Sequence, residues 1–274
     1  MLNHKVIVLS GYARGGTNIA WNLMQSHPDI CSPVHETGKL FRKSFSLRIC
    51  HKLPIPLFVS KHIIDRKLYK FKLANLNHPD NKYISDGGLY SRDQISKTTL
   101  CLKSVNHQIV YTETVLKAYP ELYFIGLARN GYALADGFMR RGKTVEEAGK
   151  LYYKISEEMK KLSDKVLKFK MIKFEDIIME PFKMAKELFE FVEVQPISLN
   201  KLRFKSKKVI TKEGDHQVKF GNEHRKYWFD RSNISQILDP DINKKQINRL
   251  SPEMIREFNK ASGTALEFFG YNKY

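Results

Sequence analysis

The segment Ser10-Gly11-Tyr12-Ala13-Arg14-Gly15-Gly16-Thr17-Asn18 follows an apolar run and opens onto a helical pattern. Glycines in such a turn let successive backbone N–H groups face one anion, and a helix start adds partial positive charge. The chemistry expected there is the cradling of a phosphate. Gly11 and Gly16 have the spacing of a nucleoside triphosphatase phosphate loop, yet Thr17 stands where that loop needs its lysine. The cation sits inside the turn instead, as Arg14. A magnesium-holding aspartate, which such enzymes also need, is not evident. A second candidate is Arg129, which ends the apolar run from Tyr123 to Ala128. A guanidinium at a strand tip presents a rigid donor fork to an anion. Alone, each feature has a plain structural reading, a tight turn and an ion pair. In this order along one chain they point to a phosphorylated ligand.

The elements that must hold these residues are legible as short apolar runs. Lys5–Ser10, Thr98–Leu102, Leu122–Ala128 and Phe169–Phe174 read as buried strands. Helical patterns alternate with them at Asn18–Gln25, Glu113–Tyr119, Val145–Leu162 and Pro181–Phe191. Ser251-Pro252-Glu253 is a helix start, with a capping serine, a proline in the first turn and an acid against the dipole. That helix is expected to turn Met254, Ile255, Phe258 and Leu266 inward and to end near Gly270. The alternation predicts an α/β fold, with a mainly parallel central sheet flanked by helices on both faces. In such sheets ligands bind beyond the carboxyl ends of the strands, here the loops after Ser10, Leu102 and Ala128. Lys39–Asp93 is poorly periodic, basic and rich in aromatics, and reads as an insertion or lid within a single domain spanning residues 1–274.

With 47 basic and 29 acidic residues the chain carries a net charge of +18, a field that attracts anions without choosing among them. No basic stripe interleaved with aromatics points to nucleic acid. Cys31, Cys50 and Cys101 show neither metal nor disulfide spacing, which suits a reduced compartment. The apolar run at Val6–Leu9 is too short for a signal peptide or anchor, and Leu53–Ile64 is interrupted by Pro54, Pro56, Lys61 and His62. A cytoplasmic protein without a transmembrane segment is therefore expected.

The glycine turn, with its cation before Gly-Gly-Thr, resembles the 5′-phosphosulfate loop of sulfotransferases that use 3′-phosphoadenosine 5′-phosphosulfate (PAPS). His27-Pro28-Asp29 resembles the helix exit of their carbohydrate-modifying members. Arg129-Asn130 resembles their 3′-phosphate motif, with two departures: Gly131 replaces a proline, and Gly137 falls where a serine hydroxyl contacts the 3′-phosphate. Arg140 or Arg141 lies a turn beyond and could compensate. Leu102-Lys103-Ser104, Phe174-Glu175-Asp176 before Pro181, Trp228, and Leu250–Glu253 with Gly270-Tyr271 are further, softer likenesses. The resemblance spans about residues 5–271 and leaves Lys39–Asp93 unmatched.

It implies a P-loop-containing nucleotide hydrolase-like (sulfotransferase) fold, PAPS as donor, 3′,5′-ADP as product and no metal. By that likeness Arg14 contacts the 5′-phosphate and bridging oxygen, helped by Gly15, Gly16, Thr17 and Asn18. Arg129, beside Gly137, fixes the 3′-phosphate. Lys103 stabilises the transferring sulfonyl group. Glu36, 22 residues after Arg14, has the spacing of the catalytic glutamate in sulfotransferases acting on heparan sulfate. His107 is the second candidate base, four residues after Lys103 where cytosolic members place a histidine at two, and His35 is the third. Lys205, Lys207, Lys208, Lys219 and Arg225 offer cations for a loop closing over the nucleotide. The acceptor would be a hydroxyl on a saccharide or another small metabolite. The rival readings are a P-loop kinase or nucleotidase, and a basic anion-binding protein with a degenerate transferase site.

Overall fold

The computed structural model describes residues 5–74, 84–85, 88–89, 91–210, 216–222 and 226–274. Its centre is a five-stranded sheet of β1 (Val6–Gly11), β2 (Ile30–Cys31), β5 (Thr99–Val105), β6 (Tyr123–Ala128) and β7 (Lys168–Lys173). The spatial order is β2-β5-β1-β6-β7, and every pairing is parallel. Val6 lies opposite Leu100 and Gly11 opposite Val105, while Ile7 lies opposite Tyr123. The first strand of the chain is thus the middle strand of the sheet.

β1, β5 and β6 read as largely apolar runs because both faces are covered, whereas the edge strand β7 carries Lys168, Lys170 and Lys173 and is only partly buried. Val6, Val8, Leu100, Leu102 and Phe124 face one core, built with α2 (Thr37–Lys43), α3 (Phe45–Lys52), α4 (Leu57–Leu73), α6 (Tyr111–Ala118), α7 (Gly131–Met139), α8 (Val145–Lys165), α12 (Pro252–Ser262) and α13 (Ala265–Phe268). Ile7, Leu9, Cys101, Tyr123, Ile125, Leu127 and Ile172 face the other. That second core is closed by α1 (Thr17–Met24), α9 (Phe174–Met179), α10 (Pro181–Phe191) and the antiparallel pair β8 (Leu202–Lys205) and β11 (Lys226–Phe229). Two further pairs, β3 (Ile84–Ser85) with β4 (Gly88–Leu89) and β9 (Lys207–Ile210) with β10 (His216–Phe220), and the helices α5 (Arg92–Lys97) and α11 (Ile242–Ile247), complete the described elements.

Ser251 caps α12 by accepting from the Met254 N–H, as its sequence predicts. The helix expected to run to Gly270 instead stops at Ser262: Gly263 has φ +54°, and α13 restarts two residues later. A left-handed glycine is a common helix terminator. The stretch read as poorly periodic holds α2, α3 and α4, with Ile64 and Leu68 fully buried. No helix among the described residues is long and apolar enough to cross a membrane.

Candidate active site

At the end of β1 the chain turns sharply, with Arg14 at φ +64° and Gly16 at φ +86°. Gly16 is fixed twice over: a Cβ there would meet the Phe174 ring at 2.1 Å, besides the cost of positive φ. The carbonyl of Gly16 accepts from the Ile19 and Ala20 N–H groups, so α1 begins here, and a helix start leaves its first N–H groups without helical acceptors. The Ala13 N–H donates to Asn106 Oδ1 at 2.8 Å, tying the turn to the end of β5. These are the parts of an anion cradle between β5 on one side and β6 on the other.

On the β5 side lies a cleft of about 320 Å³. Lys103 projects into it almost wholly buried, its Nζ 2.9 Å from Glu36 Oε1, 2.5 Å from Asn18 Oδ1 and 4.6 Å above the Trp21 ring. Glu36 sits at the N-terminus of α2, and α2 is docked on β5 by two contacts. Thr37 Oγ1 donates to the Lys103 carbonyl, and the Gly38 N–H donates to Gln108 Oε1. Gln108 Nε2 in turn donates to Glu36 Oε2 at 3.2 Å. Burial alone would raise the Glu36 carboxyl, but the Lys103 ammonium, hydrogen bonds from Lys103 and Gln108, and the nearby Arg42 outweigh it and hold it below the ordinary carboxylate range. Burial pulls Lys103 down, and Glu36 restores part of that loss. Glu36 is therefore a carboxylate at neutral pH and, 39% exposed, the member of the pair open to a ligand. Lys39, Arg42, Lys205 and Lys226 also line the cleft, against Glu36 as the single acidic residue.

The β6 side is organised around Arg129, 6% exposed. Its Nε and Nη2 donate to Asn243 Oδ1, Nη2 also to Gln246 Oε1 at 2.5 Å, and Nη1 to the Arg14 carbonyl at 2.5 Å. The Phe174 ring lies 4.4 Å beneath it. Four of its five donors are engaged within the fold, which leaves one Nη1 N–H for a ligand. Burial lowers its guanidinium to about 10, with Glu175 opposing and Arg14 adding to the fall. Glu175 accepts from the Asn130 N–H, from Asn243 Nδ2 and from the Tyr271 hydroxyl. The Phe-Glu-Asp and Gly-Tyr likenesses thus converge on the network that fixes Arg129.

The two departures at Gly131 and Gly137 have packing reasons. A Cβ on Gly131 would meet Phe258 at 2.6 Å, so α12 presses closer to α7 than a proline there would allow. A Cβ on Gly137 would meet Arg14 Cβ at 3.2 Å. The Arg14 stem runs along the space that a larger residue would fill. Its guanidinium is lowered by burial and then by Arg141 and Arg140, and its Nε is buried without a hydrogen-bond partner among the described residues. Arg14 is not among the residues that line the Glu36–Lys103 cleft.

The five-stranded parallel sheet and its flanking helices have counterparts among solved structures. The sulfotransferase domain from the curacin biosynthetic pathway superimposes with a TM-score of 0.61 at 13% identity, over 100% of each chain. The sulfotransferase domain from the Synechococcus PCC 7002 olefin synthase does so with a TM-score of 0.55 at 16% identity, over 96% of this chain and 95% of that one. The chain has the sulfotransferase fold. In sequence it matches no family model and no curated protein.

Within that fold, Asn18, Glu36 and Lys103 meet in one cleft. His107 does not join them: it is exposed on the 3₁₀ turn Asn106–Val110, and its neighbour Gln108 reaches Glu36 instead. His35 lines the cleft. Lys205 reaches it too, whereas the Lys219 side chain and Arg225 lie outside the described residues. Gln108, Lys226, Asn243 and Gln246 escaped sequence reasoning. Nothing local marks them, since each gains its place from a contact made across the fold. Gly15 is held inside the turn, its N–H donating to the Tyr12 carbonyl at 3.0 Å. Thr17 is buried beneath the turn, against Gly11.

Proposed function

We propose that the protein is a PAPS-dependent sulfotransferase in which Glu36 is the general base. The observation that carries this reading is the Glu36–Lys103 pair, 2.9 Å apart in a cleft beside the glycine turn. The turn and its partnerless Arg14 Nε suit the two anionic ends of the donor. N–H groups at the α1 start face the 5′-phosphate. Arg14, to which the resemblance gives the 5′-phosphate, runs past Gly137 instead and, with Arg140 and Arg141, supplies the cationic end for the 3′-phosphate in place of the serine hydroxyl that Gly137 lacks.

In the reaction the acceptor oxygen attacks sulfur while the bond from sulfur to the bridging phosphate oxygen breaks. The acceptor proton passes to Glu36, and the electron pair leaves with 3′,5′-ADP. Glu36 is already ionised when the acceptor enters, so it needs no prior deprotonation. Lys103, held by Asn18 and Glu36, sits where negative charge grows on the transferring group and the leaving oxygen. No step requires a proton from arginine, whose pKa is too high to release one. The excess of cations around the cleft favours an acceptor that itself bears negative charge, such as an acidic saccharide.

Calorimetric titration with 3′,5′-ADP, 5′-ADP and magnesium-ATP tests the donor site, and the 3′-phosphorylated ligand should bind far more tightly than the other two. Sulfonyl incorporation from radiolabelled PAPS into a panel of hydroxylated acceptors tests the chemistry. Glu36→Gln should cut turnover by about 10²–10⁴ while 3′,5′-ADP affinity stays within about threefold. A Glu36→Gln enzyme that turns over at close to the parent rate would remove Glu36 from the reaction.

A further inference from the structure

Four of the eleven large apolar side chains exposed among the described residues fall between residues 45 and 58. Phe45 and Phe58 are 70% and 76% exposed, and Leu53 and Leu57 are also open to solvent. Phe45, Ile49 and Leu53 recur every fourth residue on α3 and, with Arg48 and Lys52, line a shallow groove of about 250 Å³. Leu57 and Phe58 open α4, just past the turn at Leu53–Pro56. Scattered apolar residues on a surface need no explanation, but a run of this kind marks a binding face.

Its charge says what it binds. Between residues 39 and 74 the chain holds ten lysines and arginines, all but the buried Lys72 at least partly open to solvent, and one acidic residue, Asp65, which accepts from the Tyr119 hydroxyl at 2.5 Å. The Arg48 guanidinium lies 5.7 Å from the Phe45 ring, so cation and aromatic share one face. A second copy of this chain would bring its own excess of positive charge against the first. Duplex nucleic acid, its bases already stacked, would meet the cations through its phosphates and leave the phenylalanines without a partner. A surface with anionic headgroups above an acyl layer satisfies both parts.

We propose that the α3–α4 hairpin docks the protein on anionic membranes, with Phe45, Leu53, Leu57 and Phe58 entering the headgroup boundary and Arg48, Lys52 and Lys61 pairing with lipid phosphates and carboxylates. The hairpin lies on the bilayer and does not cross it. Arg42, on the rim of the cleft, precedes Phe45 by three residues, so docking brings the cleft mouth toward the membrane surface.

The test is sedimentation of the full chain with phosphatidylcholine vesicles, with and without phosphatidylserine at about 30 mol%. Binding should require phosphatidylserine and weaken as salt rises from about 0.1 M to 0.5 M, because screening shortens the reach of the charges. The double variant Phe45→Ser, Phe58→Ser should lose about tenfold or more in vesicle affinity. Its melting temperature and 3′,5′-ADP affinity should stay unchanged, since both rings are solvent-exposed and outside the cleft. No sedimentation with phosphatidylserine vesicles would overturn the proposal. Equal binding by the double variant would also overturn it by leaving charge alone responsible. So would a concentration-dependent dimer that the double variant abolishes, because the ridge would then belong to a second copy.

Discussion

Replacing Arg129 with lysine separates two jobs that a strand-end arginine can perform. The native guanidinium makes four hydrogen bonds, to Asn243 twice, Gln246 and the Arg14 carbonyl. A lysine ammonium has no planar fork and can keep about one of them. Three charge-assisted bonds at the low end of about 1.5 kcal/mol each give a loss of roughly 4 kcal/mol. In a chain of this size that corresponds to a fall of about 8–15 °C in melting temperature, measured by scanning calorimetry. The Arg14 carbonyl belongs to the glycine turn, so the turn loosens and nucleotide binding weakens with it. Because Arg129 acts chiefly through the turn, 3′,5′-ADP and 5′-ADP should lose affinity by the same factor in calorimetric titration of Arg129→Lys. A variant that melts within about 2 °C of the parent while losing affinity only for the 3′-phosphorylated ligand would refute this reasoning. Arg129 would then be the direct reader of that phosphate.

Gly137→Ser restores the hydroxyl that the resemblance expects, yet its Cβ would stand 3.2 Å from Arg14 Cβ. It should lower 3′,5′-ADP affinity by about tenfold, the scale of one displaced charge-assisted contact, with 5′-ADP little affected; tighter binding of 3′,5′-ADP would show that Arg14 has not taken the serine's place. His27 and His51 give the fold its response to mild acid. His27 Nδ1 accepts from the Asp29 N–H, so its Nε2–H donates to the Gln195 carbonyl at 2.8 Å, and burial lowers the ring below its ordinary value. His51 is lowered too, by burial and then by Lys117. A base whose folded pKa is depressed binds fewer protons folded than unfolded, so stability drops as pH falls below about 6.5 toward the folded values. Melting temperature should therefore decline between about pH 7 and pH 5, less steeply in His27→Asn, and a slope unaltered in that variant would exclude His27 as a contributor.

The parts of the fold that were legible in the sequence share one property. β1, β5 and β6 are buried on both faces, and their apolar runs show regardless of context, while the edge strand β7 shows through Phe169, Met171 and Ile172 among its lysines. β2 has two residues and depends on β5 for its existence. α4 carries charge around much of its circumference, and its Lys72 is fully buried, donating to the Ser96 and Thr98 carbonyls. No periodicity rule anticipates a lysine used as a core staple. The candidate site divides similarly. The glycine turn, Lys103 and Arg129 sit at strand ends, where a run of apolar residues announces the next position. Asn243 and Gln246 lie on the short helix α11, and nothing in the sequence around them says that it lands against Arg129. His107 was attractive for its residue type, but the positive φ of Asn106 and the tight turn after it bring Gln108 to Glu36.

The middle strand of the sheet is made well before either of its neighbours. Residues 6–11 find their partners only when residues 99–105 and 123–128 have emerged, since β1 pairs with β5 and β6. At about 5–20 residues per second, the most apolar segment of the site spends several seconds with no edge to join. Pairings so distant along the chain make for slow acquisition of structure and a long window in which that strand can join another chain. Holding the glycine turn at the centre of the sheet therefore makes folding dependent on whatever shields residues 6–11 until β5 and β6 have been made.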